Sequence, residues 1–153
     1  MIWWQYLIIS LASIAVGYWL SKLGAKAERV AAERRQLRDA VEGLLTEMYA
    51  NLKLTEKDPE PGLLLPLAKD MWNIHKGKTF KLSLEIQESL NQAYSSIDNV
   101  NAVLGSMNAF GSRQNYGPGV WDRRYGDEAK KAREHIERAR DCLEEWLKEQ
   151  KQK

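Results

Sequence analysis

The sequence predicts an all-α protein in which one N-terminal transmembrane helix continues into a small cytoplasmic helical bundle with a long antiparallel helical hairpin. Three observations lead to this fold class. Residues 1–21 contain no charged side chain. No proline lies between Lys22 and Thr55, so nothing stops the first helix from continuing. Two later segments, 84–110 and 128–150, repeat apolar residues at steps of three and four, which is helical spacing.

The composition limits the classes of function. The chain has 153 residues, with 23 Lys and Arg against 21 Asp and Glu, which fits one domain of ordinary size and gives no strong field for nucleic acid. A single cysteine, Cys142, excludes a disulfide framework within the chain. The two histidines are far apart, and there is no glycine-rich phosphate loop. We therefore expect no catalytic residues, no cofactor, no metal site and no nucleic-acid partner; the protein is predicted not to be an enzyme.

Residues 1–21 have the length and character of a membrane span. At 1.5 Å per residue such a helix measures roughly 30 Å, which matches the hydrocarbon core of a bilayer. Aromatic residues of the kind that settle at headgroup level lie at both ends: Trp3, Trp4, Tyr6, Tyr18 and Trp19. A cleaved signal peptide ending near Ala25-Lys26-Ala27 and a buried core helix are the alternatives. An interfacial helix is disfavoured because no polar face exists.

Basic residues follow the span and none precede it, which predicts the inner (plasma) membrane with the N-terminus outside and the C-terminal domain in the cytoplasm. Residues 22–36 form a basic juxtamembrane helical neck. Lys22, Lys26 and Arg29 are its candidate contacts with lipid headgroups, each worth about 1 kcal/mol when well placed. The alternative is that these charges only set the topology.

Small residues recur at steps of three and four along the span. Such a face lets another helix approach closely in lipid, so it predicts association with a second copy or with other membrane-protein subunits. The alternative is that small residues are simply tolerated there. The predicted contact residues of the membrane helix are Ser10, Ser13, Gly17, Ser21 and Gly24.

The bundle domain is expected over 37–150. Its predicted helices cover about 37–55, 66–75, 84–110 and 128–150. The first buries a stripe from Leu37 to Leu52, and the second buries Leu67, Met71, Trp72 and Ile74. The last two form coiled-coil-like seams of similar length, which predicts the antiparallel hairpin.

A long loop, 111–126, is the least expected piece, because bundle connections are usually shorter. It combines aromatic residues with arginines, a composition enriched at protein interfaces and suited to anionic ligands. We predict that it contacts a partner; the alternatives are that its aromatic residues close the end of the bundle or that it holds a small anion or lipid phosphate. The candidate residues are Arg113, Tyr116, Trp121, Arg123, Arg124 and Tyr125.

A sparse pattern runs through the middle of the chain: Leu44, Glu47, Asn51, Pro66-Leu67, Trp72, Leu90, Ala93-Tyr94 and Ile97. With the apolar N-terminal segment, it resembles uncharacterised small bacterial proteins that have one N-terminal membrane span and a helical cytoplasmic domain. That resemblance implies no activity. The order of a span and a helical region also looks like inner-membrane spanin proteins, although the basic neck favours the opposite side of the membrane.

Three hypotheses of function follow. The first is a non-enzymatic, single-pass, membrane-anchored scaffold or accessory subunit of a homo-oligomer or larger membrane complex. The second is a cytoplasmic-side sensor or ligand-binding module with a pocket near Trp72, Tyr94 and the long loop. The third is a phage-type lysis or envelope-spanning protein, which requires the C-terminus to lie outside.

Overall fold

The computed structural model describes residues 3–56, 65–110 and 118–152, and apart from 65–69 and 82–83 these residues are helical. Four α-helices and one 3₁₀ helix follow each other in chain order. They are α1 (Trp3–Glu56), α2 (Asp70–His75), the 3₁₀ helix η1 (Lys76–Lys81), α3 (Leu84–Phe110) and α4 (Pro118–Gln152). The all-α prediction is therefore confirmed for these residues.

Two compact units divide the chain: Met1–Leu37 and Arg38–Lys153. In the first unit, large apolar side chains such as Leu11, Ile14 and Leu20 are exposed. Among the residues that the structure describes, no helix is both long enough and apolar enough to cross a bilayer. The transmembrane part of the predicted fold class is thus not supported; the side chains of residues 4–9 and 12 lie outside the described residues.

The second unit is built on a hairpin of α3 and α4. Ser96 hydrogen-bonds His135, whereas Ser106 and Arg124 line one groove, so the two helices run antiparallel. The seams predicted from spacing are buried, with alanines on α4 alternating with larger residues. The fully buried seam residues are Leu90, Ala93, Ile97 and Val100 on α3, and Ala132, Ile136, Ala139 and Leu143 on α4. Burying each large one contributes roughly 1.5–3 kcal/mol.

The carboxyl-terminal part of α1 completes this core. Val41, Leu44 and Met48 are fully buried, at the helical spacing expected for the stripe from Leu37 to Leu52. Hydrogen bonds from Tyr94 to Glu47 and from Tyr49 to Glu144 tie α1 to α3 and α4 respectively. The second unit is therefore a helical bundle with its own hydrophobic core.

Several element bounds differ from those expected. Helix α2 begins at Asp70 rather than at Pro66, because the backbone of Leu67 and Ala68 bonds to side chains instead of to a helix. Gly77 does not end the helical segment, which continues as η1. Helix α4 begins at Pro118 rather than near 128, and proline suits a first helical turn because it lacks the N–H that would be unpaired there. Helix α3 has the bounds expected, 84–110.

Candidate functional site

A buried polar network lies where α1 meets the segment before α2. Glu47 and Asn51 are one helical turn apart on α1, and only 6% of Glu47 and 0% of Asn51 are exposed. Polar side chains at this depth are costly unless hydrogen bonds satisfy them. Both are satisfied: Asn51 by the backbone of Ala68, and Glu47 by the backbone N–H groups of Met71 and Trp72 and by the Tyr94 hydroxyl.

Two asparagines, one before and one after the non-helical segment in the sequence, each hydrogen-bond the backbone of one of its residues; we call this arrangement the clamp. The Asn51 side chain accepts from the N–H of Ala68 at 2.8 Å and donates to its carbonyl at 2.8 Å. Asn101 of α3 does the same to Leu67, at 2.8 and 2.9 Å. The amide of an asparagine side chain has the same acceptor and donor geometry as a peptide group, so each asparagine makes the hydrogen bonds that a neighbouring backbone would make. The N–H and carbonyl groups of Leu67 and Ala68 are therefore all paired.

Glu47 completes the network by binding the start of α2. Its carboxylate accepts from the N–H groups of Met71 at 2.8 Å and Trp72 at 3.3 Å. A negative charge is favourable there because the first N–H groups of a helix have no partner within it. The carboxylate also accepts from the Tyr94 hydroxyl at 2.6 Å. Burial, followed by that hydrogen bond, raises the pKa of Tyr94 well above its ordinary value.

The rings beside this network stack on each other. Trp72 and Tyr94 have centroids 4.6 Å apart and planes inclined by 14°, a stacked arrangement that contributes beyond area burial. The two ring faces that meet are therefore occupied by each other. Gly43 of α1 lies against Met71 and His75, where there is room for a Cβ but not for a large side chain.

An exposed surface follows the network along the chain, and we call it the basic-apolar segment (residues 74–84). Three large apolar side chains are 65–70% exposed on it: Ile74, Phe80 and Leu84. Three lysines lie among them, at 76, 78 and 81. Ile74 was predicted to be buried, and that prediction is wrong; Met71 is also partly exposed, whereas Leu67 is buried. The three lysines around Phe80, all within the six-residue η1, are the pattern that could have indicated this surface.

The first unit contains the residues predicted to contact lipid and other helices. The five small residues of the predicted helix-contact face, from Ser10 to Gly24, are all exposed. A Cβ built on Gly17 or Gly24 would meet open space. The predicted headgroup residues Lys22, Lys26 and Arg29 are exposed as well, and the Lys22 ammonium lies 5.6 Å from the centroid of the Tyr18 ring.

The predicted partner-contact loop is divided by the structure. Arg113 and Tyr116 lie outside the described residues. Trp121, Arg123, Arg124 and Tyr125 belong to α4, not to a loop; the Trp121 side chain lies outside the description, and both arginines are exposed. Tyr125 is only 6% exposed, and burial raises its pKa. Tyr125 is therefore part of the buried core and is not available as an exposed contact.

The other polar contacts lie between helices or within one helix. Between α1 and α4, Tyr49 donates to Glu144, which raises the Tyr49 pKa; within α4, Arg140 donates to Asp141. Ser96 donates to the Gln92 carbonyl and bonds His135 Nδ1 at 2.6 Å. Within the described ranges, no group of three or more His, Cys, Asp or Glu side chains could hold a metal ion.

Comparisons with known proteins add no further constraint. No family model, no curated protein and no solved structure matches the chain. Inferences about function therefore depend on the chain's own residues.

Proposed function

We propose that this protein is a non-enzymatic helical scaffold or accessory subunit, attached to a membrane through residues 1–21 and placing the Arg38–Lys153 bundle on the cytoplasmic side. The observation that carries the proposal is the absence of charge over residues 1–21 together with the exposed apolar side chains of the first unit. Exposed apolar surface costs about 25 cal/mol per Å² in water, so such a helix needs lipid or another protein around it.

Two features of the sequence favour lipid as the surrounding medium. Aromatic residues lie at both ends of the uncharged segment, where a bilayer has its headgroups. Basic residues then follow on one side only, beginning at Lys22. The polar and apolar layers of a membrane account both for the aromatic residues at the two ends and for the basic residues on one side. Burial in a protein–protein interface would explain neither.

Attachment can be tested by fractionating cells that express the full chain. We expect the protein to remain with the membranes at alkaline pH, to float with them and to need detergent for extraction. Leu11→Lys with Ile14→Lys should release it, because two charges would then lie within the hydrocarbon core. Val30→Lys with Ala31→Lys is the matched control and should leave the protein attached. A wild-type chain that is monodisperse in buffer without detergent would contradict the proposal.

The cytoplasmic side is tested separately by a reporter that follows Lys153. We expect activity from a reporter that works only in the cytoplasm and none from one that requires export. The reverse pattern would contradict this side of the proposal and favour the envelope-spanning hypothesis.

Association through the small-residue face is the remaining part of the proposal. Gly17→Leu should fill the space that a neighbouring helix would occupy and lower the mass of the complex in mild detergent. Ala15→Leu, an equal kind of enlargement outside the five-residue face, is the control and should leave the mass unchanged. An assembly that is unaffected by Gly17→Leu would exclude this face as the contact.

A further inference from the structure

We infer that the basic-apolar segment (residues 74–84) is a second lipid contact, which lies on the anionic headgroup surface of the membrane and inserts its apolar tips. This inference rests on the proposed membrane attachment, and it assigns a membrane-facing surface to the bundle unit itself. Three independent observations support it: exposed apolar side chains, three lysines with no acidic residue between Asp70 and Glu85, and an ordered backbone.

The segment exposes large apolar side chains to a degree that is unfavourable in water. Ile74, Phe80 and Leu84 are each at least 65% exposed, although they lie on three successive elements beside a well-formed core. Single exposed apolar residues are ordinary, but three within eleven residues that also carry charge resemble the surface of an interfacial element. Phenylalanine and leucine are the residues such elements insert below the headgroups.

The charge on the segment has one sign. Lys76, Lys78 and Lys81 lie within it, and no acidic residue occurs between Asp70 and Glu85. Anionic lipids attract such clusters on the cytoplasmic leaflet. The choice of lysine is informative, since protein interfaces are depleted in lysine and enriched in arginine. Charge and residue type therefore favour a lipid surface over a protein partner.

The backbone of the segment is already ordered in the conformation that exposes these side chains. Thr79 and Leu82 are buried and alternate with the exposed residues. Leu82 donates its N–H to the Thr79 carbonyl at 2.9 Å, and the Gln87 amide donates to the carbonyls of Leu82 at 2.8 Å and Phe80 at 3.4 Å. Because η1 is fastened to the first turns of α3, contact with lipid requires little additional ordering.

The test places a fluorophore on the segment of the full-length chain. In a Cys142→Ser background, Phe80→Cys carries an environment-sensitive dye, and the protein is reconstituted into vesicles of phosphatidylcholine alone or with 30% phosphatidylglycerol. We expect nitroxide-labelled lipids to quench the dye strongly in the anionic vesicles and weakly in the neutral ones. The same dye at Ala102→Cys, an exposed position on α3, should stay unquenched in both.

A charge-reversal pair tests the lysines. Lys76→Glu with Lys78→Glu should weaken the quenching at position 80 by about tenfold in anionic vesicles. Lys130→Glu with Lys151→Glu changes the net charge equally on α4, where both lysines are exposed, and should leave the quenching unchanged. Equal effects of the two pairs would overturn the inference, because they would show attraction by net charge alone.

The outcomes separate this inference from the proposed attachment, which is measured in the same vesicles by alkaline extraction. A chain that stays attached while its dye at position 80 remains unquenched overturns the inference and leaves the attachment standing. A chain that extracts as a soluble protein, yet is quenched at position 80 by added anionic vesicles, supports the lipid contact and overturns the anchor. A dye shielded equally in lipid-free samples, by a second copy, overturns the lipid assignment.

Discussion

At the residue scale, Asn51 and Asn101 supply the backbone hydrogen bonds that a neighbouring β-strand would supply to an extended chain. Each pairs both the N–H and the carbonyl of one residue, Ala68 and Leu67 respectively. Backbone groups buried without a partner are costly, so a non-helical segment can pack against a helical core only if side chains supply the missing bonds. The two asparagines therefore determine where α2 can begin.

Asn51→Ala should destabilise the bundle markedly. It removes two hydrogen bonds and leaves both backbone groups of Ala68 without partners, for which we expect a loss of about 2–4 kcal/mol in the free energy of unfolding. Urea unfolding in mild detergent, followed by circular dichroism, measures the change. Asn99→Ala, at an exposed position on α3, is the control and should shift it by less than about 0.5 kcal/mol. Equal effects of the two substitutions would contradict a role for the clamp.

Tyr94 should make stability depend on alkaline pH. Its pKa is raised in the folded state by burial and by Glu47, whereas an unfolded tyrosine ionises near pH 10. Its contribution is therefore complete below about pH 10 and decreases as the pH rises above that value, because the unfolded chain then releases the proton first. Tyr94→Phe should lose less stability than the wild type between about pH 9 and about pH 11. Parallel pH profiles from urea unfolding would contradict this.

Residue-scale chemistry was only partly predictable from the sequence. Glu47, Asn51, Trp72 and Tyr94 all belong to the sparse pattern noted in the sequence, but nothing in their spacing indicates which backbone groups they bind. Their partners are 17 or more positions away along the chain, and such pairings depend on how the helices pack. Trp72 was expected to anchor packing, and its stacking on Tyr94 agrees with that expectation.

At the scale of elements, the seams of α3 and α4 were predictable because burial there repeats with the helical period. Ile97 and Ile136, for example, are fully buried at positions that the periodicity predicted. The start of α4 was missed although Pro118 signals a first helical turn. The conformation of η1 could not be predicted from periodicity. This element has six residues, of which only Thr79 is buried, so no apolar face repeats along it.

Gly43 sets how closely α1 and α2 pack. A Cβ there would lie 3.4 Å from the Met71 sulfur and 3.6 Å from His75 Nε2, which is ordinary contact. Gly43→Ala should therefore stabilise the bundle by about 0.5–1 kcal/mol through helix propensity, as should Gly105→Ala on α3, where a Cβ meets nothing. Gly43→Leu should destabilise because its side chain would displace α2. Thermal unfolding measures all three, and a tolerated leucine would contradict the close approach.

For the whole molecule, the division at Leu37 lies beyond the change in composition. Charge begins abruptly at Lys22, so the first unit contains both the uncharged segment and the charged residues that follow it. The second unit has a core of its own built from α1, α3 and α4. The apolar stripe that begins at Leu37, rather than the onset of charge, indicated where the bundle starts. It placed the start of the bundle at residue 37, and the second unit begins at Arg38.

A chain shortened to Arg38–Lys153 should fold without the first unit. The buried residues Val41, Leu44 and Met48 remain in it, so the core is complete. We expect cooperative urea unfolding in buffer without detergent, with a midpoint close to that of the full chain. A fragment that starts at Asn51, lacking the buried stripe of α1, is the control and should not unfold cooperatively. Failure of the longer fragment to fold would show that the first unit contributes to the core.

The clamped pair before α2 has a consequence for the exchange of backbone hydrogens with solvent. The amide hydrogens of Leu67 and Ala68 belong to no helix, yet both are held by side-chain oxygens, that of half-buried Asn101 and that of buried Asn51. Amide hydrogens exchange with deuterium only when their bonds open, so these two should exchange as slowly as those in the middle of α3. A stretch of irregular backbone would then be among the last parts of the bundle to open.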